Sequence, residues 1–145
     1  MSVYLDSSAV IKLYVPEDGS AEVARYVQKR RQPLPLSPLH EFELKNALRA
    51  KVFRKQASRR SVRAALQHLC ADIAAQIYVS PPLDWLEVFE AAEALSQRFT
   101  ATIGGRFLDF LHVASAKILK VRGFLTFDER QATQVRKAGI KLVRV

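Results

Sequence analysis

Short apolar runs alternate with helix-length segments along the whole chain, and this alternation limits the fold more than any other feature. Runs at 2–5, 77–79, 124–127 and 141–145 are rich in Val, Ile, Leu, Tyr, Phe and Thr, and such residues suit a pleated, half-buried surface. Each helix-length segment has its own start and stop signals. Ser7 or Ser8 caps a first helix that ends at Pro16, and Gly19-Ser20 opens a second that runs to about residue 29. The stretch Gln32-Pro33-Leu34-Pro35-Leu36 is extended, because each proline drives its predecessor out of the helical region. Ser37-Pro38 puts a cap and a first-turn proline at the head of a helix to about 54, and another follows from 58 to about 76. Further helices are predicted over 84–98, 106–120 and 129–137, the last two followed by Gly123 and Gly139, with Gly104-Gly105 as a break. Strands separated by helices predict an α/β fold in three layers, a mostly parallel central sheet flanked by helices. With 145 residues, no repeat and no linker, the expectation is a single domain over 1–145.

Cysteine and charge narrow the function classes. One cysteine, Cys70, excludes an intramolecular disulfide and a cysteine-based metal cluster; in Leu69-Cys70-Ala71 it reads as a small core residue. The opening Met1-Ser2-Val3-Tyr4-Leu5-Asp6 lacks a basic segment and meets an acid early, so it does not read as a signal peptide. No apolar run reaches the ~18 residues of a membrane span, and a cytoplasmic protein away from the membrane is expected. The net charge is +9, a field that attracts polyanions. Lys45, Arg49, Lys51, Arg54, Lys55, Arg59, Arg60 and Arg63 follow one another with no acid between them. A charge run is usually a solvated helical face; the single sign favours a nucleic-acid-facing surface, with Lys45, Arg49, Arg54, Lys55, Arg59 and Arg60 as candidate phosphate contacts. Phe53 is the one aromatic within the run, so no stacking platform is indicated.

Four acids fall near one rim by topology. In open α/β sheets, ligands bind beyond the carboxyl ends of the strands. Asp6 follows the first strand and Asp128 the strand at 124–127; Glu43 and Asp109 sit early in helices that start at the same edge. Each has an ordinary reading: Asp6 and Asp128 as helix caps, Asp109 as a complement to a helix dipole, Glu43 as a solvated glutamate. Taken together the ordinary reading weakens, because Phe107-Leu108-Asp109-Phe110-Leu111 and Phe42-Glu43-Leu44 embed their acids among apolar residues, and an unpaired buried carboxylate is costly. Converging carboxylates repel one another, and a hard divalent cation removes that penalty. Oxygen-only ligation selects Mg²⁺ or Mn²⁺ over Zn²⁺, and such a site suits phosphodiester hydrolysis. Glu41 and Glu43 lie about 200° apart around a helix, so one of them faces the rim. His112, three residues after Asp109, reads first as a polar packing residue and second as a general base.

The chain resembles the PIN-domain ribonucleases, and among them the VapC-type toxins of toxin–antitoxin pairs. The matching stretches are Tyr4-Leu5-Asp6-Ser7-Ser8-Ala9-Val10-Ile11-Lys12-Leu13-Tyr14; Ser37-Pro38-Leu39 with Glu43-Leu44 and Asn46-Ala47-Leu48-Arg49; Asp109-Phe110-Leu111-His112-Val113-Ala114-Ser115-Ala116; and Phe124-Leu125-Thr126-Phe127-Asp128-Glu129-Arg130-Gln131. No one motif is decisive; the ordered set is. The resemblance implies that Asp6, Glu43, Asp109 and Asp128 form an acidic site for Mg²⁺ (or Mn²⁺), with Glu43 rather than Glu41 chosen by its spacing to Ala47-Leu48. It implies that Ser7 helps orient the site, that RNA is the substrate, and that a homodimer silenced by a cognate antitoxin is the working form. Phe110 departs from the pattern, since many relatives carry Ala there. Two alternatives stay open: a structure-specific DNA nuclease, because metal chemistry does not distinguish the sugar, and a catalytically silent RNA-binding module. A phosphate-accepting receiver domain lacks its paired acids on the first strand, and no P-loop pattern is present.

Overall fold

The computed structural model describes residues 3–145; Ser2, predicted to begin the first strand, lies outside them. The described residues form two compact units, one made of 3–6 and 81–144 and the other of 7–80 with 145.

In the first unit, β1 (Tyr4–Leu5) pairs in parallel with β4 (Phe124–Leu125), Tyr4 opposite Phe124 and Leu5 opposite Leu125. Phe124 also bridges Leu142 in parallel, so Phe124 is central to three aligned segments. The strand predicted over 141–145 contracts to that single bridge, held by Val143 N–H donating to Phe124 C=O at 2.8 Å. Strands this short still hold register because their side chains are wholly interior: Tyr4, Leu5, Phe124 and Leu125 are all buried. Gly123 precedes β4 where a Cβ would lie 2.6 Å from Val143 and 3.2 Å from Val3, so only glycine allows this close approach.

Three helices complete this unit. α5 (Trp85–Ile103) starts at Asp84, whose carboxylate accepts Leu86 N–H, and buries Val88, Ala92, Leu95 and Phe99 at helical spacing. The helix passes its predicted end at Arg98 because Phe99 continues the buried stripe; Gly104, at φ 70°, stops it. α6 (Phe107–Ile118) packs on α5 and is buried continuously from Asp109 to Ala116, as expected of a helix apolar all round. α7 (Glu129–Lys137) follows Asp128 and ends before Gly139, at φ 79°.

In the second unit, α1 (Ser7–Val10) passes into a 3₁₀ turn (Ile11–Leu13), followed by α2 (Ser20–Gln28). β2 (Leu34–Pro35) pairs in parallel with β3 (Tyr78–Val79). The extended Pro-rich stretch is therefore a strand, with Leu36 N–H donating to Val79 C=O at 2.9 Å. α3 (Pro38–Phe53) begins at Ser37, whose hydroxyl accepts His40 N–H while His40 Nδ1 accepts Ser37 N–H at 3.1 Å. That is a capping box in which histidine takes the place usually held by Glu or Gln. His40, Leu44 and Leu48 form the buried stripe of α3. α4 (Arg59–Ala74) buries Val62, Ala65 and Leu69. Cys70 corrects the sequence reading. It is exposed, because one residue past Leu69 turns it about 100° off the buried face.

Beside α4, Tyr78 OH meets Tyr14 OH at 2.7 Å, and Tyr14 OH donates to Asp72 at 2.6 Å. Burial raises both phenols; Tyr78 and Asp72 push Tyr14 further up, whereas at Tyr78 the hydrogen bond with Tyr14 works against burial and the phenol is pushed up to about 12. No helix among the described residues is long and apolar enough to cross a membrane.

Candidate active site at the ends of the parallel strands

Asp6 is placed by the β1–β4 ladder itself, since its N–H donates to Leu125 C=O at 3.1 Å. The residue is 3% exposed, and its Oδ2 accepts the Thr126 hydroxyl at 2.6 Å. Thr126 lies just past β4 on the neighbouring strand, and its Oγ1 also accepts Asp128 N–H at 3.0 Å. One hydroxyl thus joins Asp6 to the segment that carries Asp128. Gln131 extends the network: its Oε1 is 3.2 Å from Thr126 Oγ1, and its Nε2 donates to Asp109 C=O at 3.4 Å.

Asp128 divides its two oxygens. Oδ1 accepts Arg130 N–H at 2.8 Å and Gln131 N–H at 3.1 Å, which caps α7. Oδ2 lies 3.6 Å from Arg106 Nη2. The helix-cap reading of this acid holds, and it leaves one oxygen for a cation. Asp109, 5% exposed, sits at the third position of α6 and receives the Arg106 fork, Nε to Oδ2 at 3.3 Å and Nη2 to Oδ1 at 3.4 Å. Arg106 therefore lies between two of the predicted acids. A cleft of about 490 Å³ opens there, lined by Arg106, Asp128, Glu129 and Arg130.

Asp6, Asp109 and Asp128 are thus tied together within the first unit by Thr126, Gln131 and Arg106. Glu43 belongs to the second unit, half-buried on α3 between exposed Phe42 and buried Leu44. Glu41 on the same helix is engaged by Lys45 Nζ at 3.0 Å. The apolar company inferred for the acids is partly exposed, since Phe42 and Phe107 face solvent. Among the described residues, no three His, Cys, Asp or Glu side chains already converge as a metal-holding group. The donor set nevertheless fits a hard divalent cation. It consists of carboxylate oxygens, and two of the carboxylates already share a positive group. Ser7, next to Asp6 in sequence, has a buried hydroxyl with no hydrogen-bond partner among the described residues.

His112 is a packing residue in this arrangement. It is 1% exposed, and its Nδ1 meets Tyr4 OH at 2.7 Å inside the core. The predicted phosphate contacts separate into two groups. Lys45 is engaged by Glu41, as Lys51 of the same run is by Glu17, whereas Arg49, Arg54, Lys55, Arg59 and Arg60 are exposed, four of them at the α3–α4 turn. Sequence reasoning gave no role to Thr126, Gln131 or Arg106. Gln131 was traceable: a capping Asp followed three residues later by Gln is a helix-start pattern.

An α/β chain with acids set just past paired parallel strands defines a class, and the family profile described as PIN domain matches residues 3–137. The chain belongs to the PIN domain family. It is 29% identical over 150 residues to Ribonuclease VapC46 of Mycobacterium tuberculosis, covering 98% of this chain and 96% of that protein. Its fold is similar to that in the crystal structure of FitAcB from Neisseria gonorrhoeae, with a TM-score of 0.70, 14% identity, and 98% and 96% of the two chains covered.

Proposed function

We propose that the protein is an endoribonuclease that hydrolyses RNA phosphodiester bonds with Mg²⁺ (or Mn²⁺), and that it is the toxin of a toxin–antitoxin pair. The observation that carries this reading is the linked set Asp6, Asp109 and Asp128 with a positive group lodged between two of them. Membership of the PIN family and the likeness to a protein named as a ribonuclease support it.

Asp6, Asp109, Oδ2 of Asp128 and Glu43 would hold the cation, Asp128 directly or through water. When bound, the cation activates water and neutralises charge building on the phosphate. The chain's own groups do the rest. Thr126 fixes the rotamer of Asp6, the α7 cap fixes that of Asp128, and the exposed cations of the α3–α4 turn hold the RNA backbone. No side-chain nucleophile is required. A protein partner is supported by exposed Leu86, Phe89 and Phe107 beside an apolar groove of about 500 Å³ in the first unit. We assign that partnership to an antitoxin and take a homodimer as the working form.

The decisive experiment incubates the purified protein with mixed RNA and DNA in Mg²⁺, Mn²⁺ or EDTA and maps the ends formed. RNA cut with either metal and spared in EDTA is the expected result. DNA cut in preference to RNA would establish the structure-specific DNA nuclease, and tight RNA binding without cleavage would establish the silent module.

A further inference from the structure

Arg106 is an unusual residue for the place it holds. It is the N-cap of α6, where a side-chain oxygen normally accepts the helix's first N–H groups. A guanidinium has donors alone. It is also a cation at a helix N-terminus, the end that favours anions, and it leans toward Asp128, which caps a second helix. Its side chain stays 65% exposed and pairs with both Asp109 and Asp128.

The charges there do not close. Asp109 and Asp128 bring two negative charges and Arg106 one positive charge, while Glu129 and Arg130 on the same cleft offset each other. One negative charge is left over, and a divalent cation in the place of Arg106 would balance both carboxylates. The guanidinium contacts of 3.3–3.6 Å are also long beside the ~2.7–2.9 Å of tight charge-assisted hydrogen bonds. A displaced Arg106 has solvent on its open side and remains beside the cleft.

We propose that Arg106 is the site's resident counter-cation: it holds Asp109 and Asp128 together until a divalent cation displaces it, and its freed fork then takes a phosphate oxygen of the RNA. The inference rests on the metal-site reading above. Guanidinium matches phosphate in a bidentate fork, which an ammonium does not reproduce. Arg106 would thereby serve first the acids and then the substrate.

The test is calorimetric titration of the full chain with Mn²⁺ alone, for the wild type, Arg106→Gln and Arg106→Lys. Removing an internal competitor tightens Mn²⁺ binding, by roughly two- to tenfold for two ion pairs made by an exposed arginine; Arg106→Lys falls between the wild type and Arg106→Gln. A merely structural residue would not produce tighter binding when removed. With Mn²⁺ saturating, Arg106→Gln should raise the KM for single-stranded RNA about tenfold and change kcat less. Equal or weaker Mn²⁺ binding by Arg106→Gln overturns the counter-cation role and leaves the metal site standing. An unchanged KM overturns the phosphate role. No Mn²⁺ binding by any of the three proteins overturns this inference together with the metal site it depends on. Circular dichroism melts establish that each variant is folded, and Arg106→Lys serves if Arg106→Gln is not.

Discussion

Two bridged ion groups, one in each unit, have opposite arithmetic. In the second unit Glu17 stands between Lys51 and Lys12, one anion between two cations, with contacts of 2.8 and 3.2 Å. In the first unit Arg106 stands between Asp109 and Asp128, one cation between two anions, with contacts of 3.3–3.6 Å. The Glu17 group is closed: its carboxylate is met on both oxygens, and Lys12 also donates to Asp18 C=O at 2.7 Å. The Arg106 group has a surplus negative charge, long contacts and an open cleft. The first arrangement holds α3 to the segment after the 3₁₀ turn. The second is suited to exchanging its cation. Acidic and basic side chains thus serve architecture in one group and, on the reading proposed above, chemistry in the other, according to which sign is in excess.

The largest expected effect lies at the acids. Asp6→Asn should lower RNA cleavage by more than about a hundredfold, beyond the usual cost of losing an outer-shell partner, while circular dichroism remains native. Glu43→Gln should behave alike, and Glu41→Gln, which loses only the pair with Lys45, should keep its activity. Wild-type cleavage by Asp6→Asn would make the first unit's acids architectural after all, and the comparison would collapse.

Next comes the hydroxyl that joins them. Thr126→Val keeps the shape but removes the donor to Asp6 and the acceptor for Asp128 N–H. A loss of about 10- to 100-fold in activity or Mn²⁺ affinity is expected for a group that orients ligands. Full activity would mean that the acids need no orienting partner.

A smaller, graded effect is expected from the α3–α4 turn. Changing Arg54, Lys55, Arg59 and Arg60 to Gln should weaken RNA binding and flatten its dependence on salt, by about 0.7 in the log–log slope for each lost phosphate contact. An unchanged slope would return these cations to solvent.

What the sequence discloses and what it hides follows from where the information lies. Helix starts are legible at Ser37, Ser58, Asp84 and Asp128, because in each case the cap is a side chain of recognisable type making a local bond. Asp6 and Asp128 are legible as strand-end acids for the same local reason. Cys70 was misread because apolar neighbours in sequence do not fix which face a residue takes. The strand over 141–145 was read too long, since its length depends on how many partners the ladder offers. Arg106 could not be found at all: its role comes from Asp128, 22 positions away, and no motif marks an arginine N-cap.

The smallest effect tests the closed member of the comparison. Burial pushes the Glu17 carboxyl upward, but hydrogen bonds from Lys51 and Lys12 outweigh it and hold the folded value below the ordinary 4.5. A depressed folded value means that the unfolded chain binds the proton first. The stabilisation is therefore complete above the ordinary carboxylate range and is lost as pH falls through the lowered value. Partly exposed pairs of this kind contribute at most about 1 kcal/mol, or roughly 3 °C of melting temperature for a chain of this size. Glu17→Gln should melt lower than the wild type by that amount at pH 7, and the two curves should converge as pH drops below about 4. Because Glu17 is far in role from any cation exchange, Mn²⁺ should shift both proteins' melting temperatures equally. A gap between them that persists at pH 3 would show that Glu17 acts through packing of its chain. A gap that closes on adding Mn²⁺ at pH 7 would show that this group, too, exchanges its cations, and the contrast with Arg106 would be lost.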